Sequence, residues 1–349
     1  MKFSLFYLTS YFPEVHGSER GLYDQLLGQV DEGERMGLHA VWLAEHHFFD
    51  YGGHVPSIPV LGATIAARTK KLKIASGIAM IGLQDPIRVA EQFAMLDQLS
   101  GGRVIFGIGR GFQKCEFDAF QRKLDDSRIA FDEAHEVIRR AWTEERFSFD
   151  GRFTKVKNLR VIPKPLQKPT PPFYVACTFT PQSFQWTGQQ GYNLMVVPYA
   201  APDLAVVKQN VDLYRSSLAS SGKPTDTDVL CAIHMYCGES SKRAKEEPRA
   251  ALMRYLGQFS ESTREAAHSE AYVGYDGLSE ALTKFDYDTF LHPKRVLFGD
   301  PDECVTRIRE LEEMGITNVG MVIDFGGLAS QEIFASLERF RKHVLPKFV

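Results

Sequence analysis

The chain has 349 residues, 44% of them hydrophobic, and a formal net charge of −3. This length allows two domains or one large α/β barrel, and the balanced charge gives no reason to propose nucleic acid or an anionic membrane as a partner. No apolar run approaches the roughly 20 residues that span a bilayer, and the five cysteines form no CxxC pair. We therefore expect reduced thiols in a cytoplasmic protein, with neither a disulfide frame nor a zinc site.

Apolar runs alternate with segments of helical spacing from the start of the chain, which predicts a series of strand–helix units. The apolar N-terminus lacks a small-residue cleavage site, so we interpret it as the first strand and not as a signal peptide. The first four units place strands at 2–8, 41–45, 72–80 and 104–108 and helices at 19–36, 56–68, 86–99 and 127–145.

Two segments interrupt this alternation. Residues 147–170 are basic and rich in proline, with a hairpin predicted around Asp150-Gly151, and residues 259–295 are polar with scattered aromatics, typical of a lid. The other elements are strands at 172–177, 193–197, 227–237 and 318–323 and helices at 181–190, 202–220, 241–257, 301–314 and 331–344. Eight such units predict one (β/α)8 barrel domain over residues 1–349, with the two segments as insertions. A doubly wound open sheet is the alternative.

The second predicted strand ends in Glu45-His46-His47, at the edge where α/β folds keep their reactive groups. Side-chain alternation along a strand would point Glu45 and His47 to one face and His46 to the other. A metal site is one interpretation, but the other predicted strands offer only His234 and Asp324 as further ligands, so too few converge. Acid–base catalysis and a simple loop-closing role stay open at this point.

A glycine-rich turn, 107–111 (GIGRG), follows the fourth predicted strand. Its spacing is not the G-x-G-x-x-G of a nicotinamide loop, and it does not lie in the first unit. It is either a tight turn or a backbone that a flat or anionic ligand approaches closely, with Arg110 reaching a phosphate. Arg128 begins the fourth helix and would either strengthen an anion site there or pair with nearby aspartates. The hydroxyl-rich segment 177–183 could complete a phosphate site or cap the next helix.

Several motifs in order resemble the bacterial luciferase-like family of flavin-dependent monooxygenases. They are VWLAEHHF at 41–48, RVAEQFAMLDQLSGGRVIFGIGRG at 88–111, DDSR at 125–128, PPFYVA at 171–176 and GDPDECVTRIRELEEMGITNV at 299–319. The resemblance is closer to the members that use flavin mononucleotide (FMN), luciferase included, than to the deazaflavin members. It implies a (β/α)8 barrel that binds reduced FMN at the carboxyl ends of its strands.

The same resemblance implies residue roles. The catalytic imidazole of luciferase falls on His46, and Glu45 and His47 are the neighbouring catalytic candidates that would hold its orientation or the strand end. In luciferase, the backbone of the third strand lies against the flavin ring and carries a non-proline cis peptide. This segment corresponds to residues 76–78 here. The family dimerises through the helices that correspond to 56–68 and 86–99. The implied flavin contacts are Ser76, Gly77, Ile78, Gly109, Arg110, Arg128, Thr178 and Ser183.

The chain also departs from luciferase. The reactive cysteine beside the flavin in luciferase falls on Gly109, so no thiol acts there. The phosphate motif after the fifth strand is two residues longer, which leaves a choice among Thr178, Thr180, Gln182 and Ser183. The tryptophan expected after the sixth strand falls near Pro198-Tyr199, so the substrate pocket differs and light emission is not implied.

The resemblance implies a monooxygenase that receives reduced FMN from a separate flavin reductase, since the chain has no nicotinamide fold. With O2 it would form a C4a-(hydro)peroxyflavin and oxidise a small, apolar organic substrate. His46 would be the general acid–base, because an imidazole titrates near neutral pH. The alternatives are a deazaflavin (F420)-dependent oxidoreductase on the same barrel and a non-catalytic flavin-binding subunit. A homodimer or a heterodimer is expected.

Overall fold

Eight parallel strands form a closed barrel in the computed structural model, which describes residues 1–178, 180–198, 201, 203–263, 286–291 and 295–348. Numbered in chain order, the barrel strands are β1 Lys2–Tyr7, β2 Ala40–Leu43, β3 Lys73–Ser76, β4 Val104–Ile108, β7 Phe173–Ala176, β8 Asn193–Val196, β9 Val229–Cys237 and β11 Asn318–Val322. The three other strands are β5 Phe147–Asp150, β6 Lys155–Leu159 and β10 Leu297–Gly299.

The barrel is closed by the pairing of β8 with β9, in which Leu194 lies opposite Val229. β1 lies between β2 and β11, so the first and last barrel strands are neighbours. All eight pairings are parallel, as right-handed strand–helix–strand units require. The predicted (β/α)8 barrel is confirmed, and the doubly wound alternative is wrong, because an open sheet would leave two unpaired edges.

Helices connect successive barrel strands. In chain order they are Pro13–His16, Glu19–Met36, Ile58–Arg68, Pro86–Ser100, Lys114–Ala119, Ser127–Thr143, Pro181–Gln190, Leu204–Ser220, Ser241–Glu246, Arg249–Thr263, Tyr287–Leu291, Pro301–Glu313 and Ser330–Arg339. A π-helical turn, Phe340–Val344, extends the last of them. Within the described ranges, no helix combines the length and the apolar character needed to cross a bilayer.

The first long helix, Glu19–Met36, shows why the sequence folds in this way. Ser18 begins it by accepting a hydrogen bond from the backbone N–H of Gly21, and Gly37 ends it in the left-handed conformation. Leu22, Leu26 and Val30 recur at intervals of four residues and are fully buried. Each such side chain contributes about 1.5–3 kcal/mol by leaving water, so the apolar face anchors the helix.

Two predicted boundaries are wrong in the helical part of the chain. The predicted helix 241–257 is two helices, Ser241–Glu246 and Arg249–Thr263, because Pro248 lacks the N–H that a continuous helix needs. The second helix continues to Thr263, so the predicted lid does not begin as a loop at 259. Most of the predicted lid, 264–285 and 292–294, lies outside the described residues.

Strand ends and excursions also differ from expectation. β2 ends at Leu43 and β3 at Ser76, short of the predicted 45 and 80. The hairpin around 150–151 is confirmed, since β5 and β6 pair antiparallel there. The sequence pattern missed the helix Lys114–Ala119 and the strand β10, both too short for a periodic signal.

A buried carboxylate joins several strands at the amino-terminal face of the barrel. Asp228, just before β9, accepts hydrogen bonds from Lys2 Nζ at 2.8 Å, Tyr174 Oη at 2.7 Å and Thr317 Oγ1 at 2.6 Å. Burial alone would raise the pKa of Asp228, but the bonds from Lys2, Thr317 and Tyr174 outweigh it and lower that pKa. This contact, here called the Asp228 clamp, lies at the face that barrel enzymes use for stability.

Candidate active site

A deep cavity opens at the carboxyl ends of the barrel strands. Its free space, which includes open solvent at the mouth, is about 1370 Å³. Its floor is made of apolar side chains that follow or end the strands, namely Phe6, Leu8, Val175, Met195 and Val322. A large apolar cavity with a few polar groups at this face is where barrel folds bind their ligands.

One end of the cavity holds the predicted imidazole group. His46 lines the cavity and is only 7% exposed. Its Nδ1 lies 3.0 Å from Oε1 of Glu116, and the backbone N–H of His47 donates to the same oxygen at 2.9 Å. Glu116 belongs to the helix Lys114–Ala119 and is completely buried. The side chain of His46 is therefore held by a carboxylate that the sequence analysis did not single out.

The predicted alternation of these side chains is wrong. Glu45 and His46 both line the cavity and His47 does not, because β2 has already ended at Leu43 and the strand geometry no longer applies. His47 turns back, so that its Nε2 lies 3.0 Å from Oε1 of Glu45. Gln84 Nε2 donates to that oxygen at 2.6 Å. Burial raises the pKa of Glu45, against the hydrogen bond to His47, which lowers it.

The signal for Glu116 was present in the sequence but weak. Glu116 stands directly before Phe117 and four residues before Phe120, within KCEFDAF after the glycine-rich turn. An acid on the apolar side of a short amphipathic segment is unusual and marks a group that needs a buried partner. Gln84 and Tyr51, which also lie at this end of the cavity, belong to loops and carried no pattern.

The ends of β3 and β4 form a smooth wall made of backbone. The non-proline cis peptide that the resemblance implied is present, between Gly77 and Ile78, and both residues line the cavity. A Cβ on Gly109 would lie 2.4 Å from Cδ1 of Ile78, and one on Gly107 would lie 2.0 Å from the carbonyl oxygen of Ser76. Glycine is required at 107, where the clash is with backbone, whereas at 109 the clash is with the far end of a flexible side chain.

Ser76 is not part of this wall. Its side chain is buried, donates a hydrogen bond to the carbonyl of Gly107 and accepts one from the same residue's N–H, both at 2.8 Å. The hydroxyl therefore joins β3 to β4 and does not line the cavity. This bridge holds β3 and β4 together directly before Gly77.

The lining of the cavity also has a cationic part. Arg110, after β4, and Arg128, in the first turn of Ser127–Thr143, both line it. Thr178, Thr180 and Ser183 add hydroxyl groups, and the helix Pro181–Gln190 begins there with its N-terminus. Cationic guanidinium groups, hydroxyl donors and a helix N-terminus together are the donor set that binds a phosphate.

Both guanidinium groups influence the same two neighbouring side chains. Burial raises the pKa of Asp132, while Arg128 and then Arg110 oppose that increase. Burial likewise raises the pKa of the Cys177 thiol to about 12, against the Thr187 hydrogen bond and then both arginines. Gln182 lies outside the main cavity, in an adjoining shallow cleft that shares Arg128. Of the four hydroxyl and amide candidates, the main cavity contains Thr178, Thr180 and Ser183.

Aromatic rings form the wall beside the imidazole. The hydroxyl oxygens of Tyr51 and Tyr255 are 3.0 Å apart, and the ring of Tyr51 stacks on Phe259 with centroids 5.2 Å apart. Phe112 meets the His46 ring edge-on at 5.7 Å. Tyr255 and Phe259 come from the helix Arg249–Thr263, so the start of the predicted lid region does contribute to the cavity.

The two residues left open as metal ligands do not join Glu45 and His47. His234 is fully buried between the rings of Tyr255 and Phe325, and burial lowers its pKa to about 3. Asp324 accepts a hydrogen bond from Gln29 at 3.1 Å. Among the residues that the structure describes, no three histidine, cysteine, aspartate or glutamate side chains are grouped to hold a metal ion.

The fold is a (β/α)8 barrel with a cavity at the face where barrel enzymes bind their ligands. A family model, the luciferase-like monooxygenase, matches residues 1–318, and the chain belongs to this family. Two relatives are each 26% identical to it. They are the oxygenase component of a flavin-dependent trigonelline monooxygenase from Acinetobacter baylyi, covering 100% of this chain and 96% of that one, and an alkanal monooxygenase alpha chain from Photorhabdus luminescens, covering 99% and 96%.

Solved structures show the same likeness. The crystal structure of monooxygenase RslO1 from Streptomyces bottropensis matches with a TM-score of 0.89 and 27% identity over 100% of both chains. The coenzyme F420-dependent tetrahydromethanopterin reductase from Methanopyrus kandleri matches with a TM-score of 0.70 and 20% identity, over 100% of this chain and 99% of that one. At that identity the second likeness concerns the fold alone.

Proposed function

We propose that this protein is the oxygenase of a flavin-dependent monooxygenase that uses reduced FMN and O2 to oxidise a small, apolar organic substrate. The observation that carries the proposal is the composition of the cavity lining. Arg110 and Arg128, His46 and several apolar side chains line the same cavity. A flavin nucleotide has parts that suit each of these groups, namely a phosphate, a reacting edge and a flat ring system.

The residues of the cavity fit FMN. Its phosphate would be bound by Arg110, Arg128, Thr178 and Ser183, which together supply charge and hydrogen-bond donors. Its ring would lie against the backbone of 77–78 and Gly109, which line the cavity. Two cations suit a phosphate dianion better than the singly charged groups of most metabolites.

The chemistry divides between cofactor and protein. Reduced flavin, when bound, would supply the electrons that activate O2. His46 would hold or move a proton at the reacting edge, since an imidazole changes its charge near neutral pH. Glu45 and His47, bonded to each other at 3.0 Å, would fix the turn that presents His46. The aromatic wall of Tyr51, Phe112 and Phe259 would keep water away.

Two protein partners complete the proposal. A separate flavin reductase would supply the reduced cofactor, as the relative named an oxygenase component suggests. The chain's own glycine-rich turn, GIGRG at 107–111, lacks the spacing of a nicotinamide loop. The second partner would be another barrel, in a homodimer or a heterodimer.

Exposed apolar side chains support the dimer. Val60 on the helix Ile58–Arg68 is 70% exposed, and Met95 and Leu99 on Pro86–Ser100 are 51% and 63% exposed. Ile162 and Leu166, also exposed, lie beside this surface, since the Gln98 amide donates to the carbonyl of Lys164. A group of exposed apolar side chains of this kind marks a protein interface.

Cofactor titration tests the proposal. The full-length protein is first freed of flavin. Under anaerobic conditions it is then titrated with reduced FMN and, separately, with reduced F420, and binding is followed by calorimetry. We expect tighter binding of FMN, followed by incorporation of one atom of ¹⁸O2 into a substrate and consumption of O2. Preference for F420 would favour the deazaflavin oxidoreductase. Tight FMN binding without turnover of any substrate panel would favour the non-catalytic subunit.

A further inference from the structure

Glu116 is a buried acid that the proposed chemistry does not yet use. Its side chain is fully buried, yet it belongs to a helix of only six residues beside the cavity. Burying a carboxylate is costly unless donors surround it. His46 and the backbone of His47 both contact Oε1, whereas Oε2 has no hydrogen-bond partner among the described residues. The contacts to Oε1 are therefore what Glu116 contributes to the cavity.

The backbone of His47 decides where the protons lie. Its N–H can only donate, so Oε1 of Glu116, 2.9 Å away, is an acceptor. The same oxygen lies 3.0 Å from Nδ1 of His46 and therefore accepts from an Nδ1–H. The neutral ring then carries its proton on Nδ1, and Nε2 is the nitrogen with a lone pair for the cavity.

The surroundings hold the ring in this orientation. Gly52, at a φ of +76°, packs so closely that a Cβ there would lie 2.9 Å from Cδ2 of His46. The rings of Tyr51 and Phe112 approach the imidazole with centroids 5.6 and 5.7 Å away. A flip of the imidazole would turn a carbon toward Glu116 and leave Oε1 with a single donor, so it costs a buried hydrogen bond.

We propose that Glu116 is the positioning residue of this site: it fixes His46 as the Nδ1–H tautomer with Nε2 toward the cavity, and its charge stabilises the imidazolium when Nε2 takes up a proton. The catalytic use of that proton rests on the proposed function, but the tautomer does not. The neighbouring pair of Glu45 and His47 differs, because Oε1 of Glu45 is already shared with Gln84 and His47 does not line the cavity.

Nitrogen-15 NMR of histidine-labelled full-length protein tests the tautomer without any turnover. The His46 signals are assigned by their loss in His46→Gln, and spectra are taken at a pH where the ring is neutral. In the wild type we expect a protonated Nδ1 and an unprotonated Nε2. In Glu116→Leu, which keeps volume and removes the acceptor, we expect the proton on Nε2 or a mixture. A wild-type proton on Nε2 would overturn the inference.

Glu116→Gln separates hydrogen bonding from charge. The His47 N–H keeps the amide oxygen in the Oε1 position, so we expect the wild-type tautomer to persist while the negative charge is lost. If Glu116→Leu does not fold, Glu116→Gln and the wild type still test the acceptor role of Glu116. A proton on Nε2 of His46 in Glu116→Gln would contradict that role. Asp118→Asn, on the same helix in an exposed pair with Lys114, is the matched control and should leave the spectrum unchanged.

Turnover supplies the second arm. We expect kcat to fall about 10- to 100-fold in Glu116→Leu with little change in KM, less in Glu116→Gln, and not in Asp118→Asn, since only part of the acid–base contribution is lost. If the wild type shows the expected tautomer but oxidises nothing, the proposed function fails and the positioning role stands. If the wild type turns over and Glu116→Leu matches it in tautomer and kcat, the positioning role fails.

Discussion

Two groups of residues around the cavity handle charge in opposite ways. Around the imidazole the acids and bases bind each other: His46 pairs with a fully buried Glu116, and His47 with a buried Glu45. Among the cationic residues, Arg128 is 39% exposed and approaches Asp132 only to 4.0 Å. The difference supports the proposal that protein side chains set the proton positions around His46, while Arg128 binds a charge that a ligand brings.

Loss of the imidazole should have the largest effect. We expect His46→Gln to lower kcat by about 10²–10⁴-fold, the usual contribution of a general acid–base group. Binding of FMN, measured by calorimetry, should change little because His46 is not among the residues proposed to bind the phosphate. His343→Gln, on the exposed surface of the last helix, is the control. Equal losses in flavin affinity and in kcat would contradict the distinction between the imidazole group and the cationic residues.

Loss of a cation should act on binding. A charge-assisted hydrogen bond contributes about 1.5–3 kcal/mol, so we expect Arg128→Met to raise the Kd for FMN about 10- to 100-fold. Raising ionic strength should weaken wild-type binding more than binding to the variant. Arg139→Met, on the same helix but paired with Glu136, is the matched control. An unchanged Kd for Arg128→Met would place the phosphate elsewhere.

His234 is a fully buried histidine that does not line the cavity, so its titration can be compared with the imidazole of the site. Burial lowers its pKa in the folded state to about 3. Below about pH 6.5 His234 binds a proton in the unfolded chain but not in the folded protein. The free energy of unfolding is therefore unaffected by His234 above pH 6.5 and falls as the pH drops below it. Between pH 7 and pH 5 the loss is about 2 kcal/mol.

The matching variant is His234→Phe, which keeps an aromatic ring and removes the titration. Its free energy of unfolding in urea should fall less between pH 7 and pH 5 than that of the wild type, by about 2 kcal/mol. His39 and His135, whose pKa values burial also lowers to about 4, would keep part of the acid sensitivity in both proteins. Parallel pH curves would contradict the assignment.

The backbone wall at Gly109 should tolerate substitution better than the imidazole or the cationic residues do. A Cβ on Gly109 would displace Cδ1 of Ile78, the far end of a flexible side chain. Overpacking of this kind costs about 1–3 kcal/mol, so Gly109→Ala should weaken FMN binding about tenfold with a smaller effect on stability. Gly257→Ala, on a helix position with open space, is the control. Undiminished FMN affinity in Gly109→Ala would mean that the ring does not lie against β4.

The parts of this molecule that follow a period could be predicted from sequence. The eight strands and their helices have regular apolar spacing, which also places His46, Arg110 and Arg128 at strand or helix ends. The particular roles proposed for these three residues came from the family resemblance. Contacts across long sequence distances could not be predicted. Glu116 reaches His46 over 70 positions, and the shared oxygen depends on the turn that follows β2, which no local pattern specifies.

The direction of side chains at strand ends was the weakest prediction. Alternation assigned Glu45 and His47 to one face, but the hydrogen bonds of Glu116 and Gln84 decide the turn instead. Here tertiary hydrogen bonds override the geometry that an isolated strand would have.

The Asp228 clamp has a consequence for how this barrel could be altered. It joins the first, fifth, seventh and eighth barrel strands at the face opposite the cavity, through Lys2, Tyr174 and Thr317. None of these residues lines the cavity. Directed evolution of the aromatic wall toward other substrates can therefore proceed without altering this anchor. Libraries built at Tyr51, Phe112 and Phe259 should retain folded barrels far more often than libraries built around Asp228.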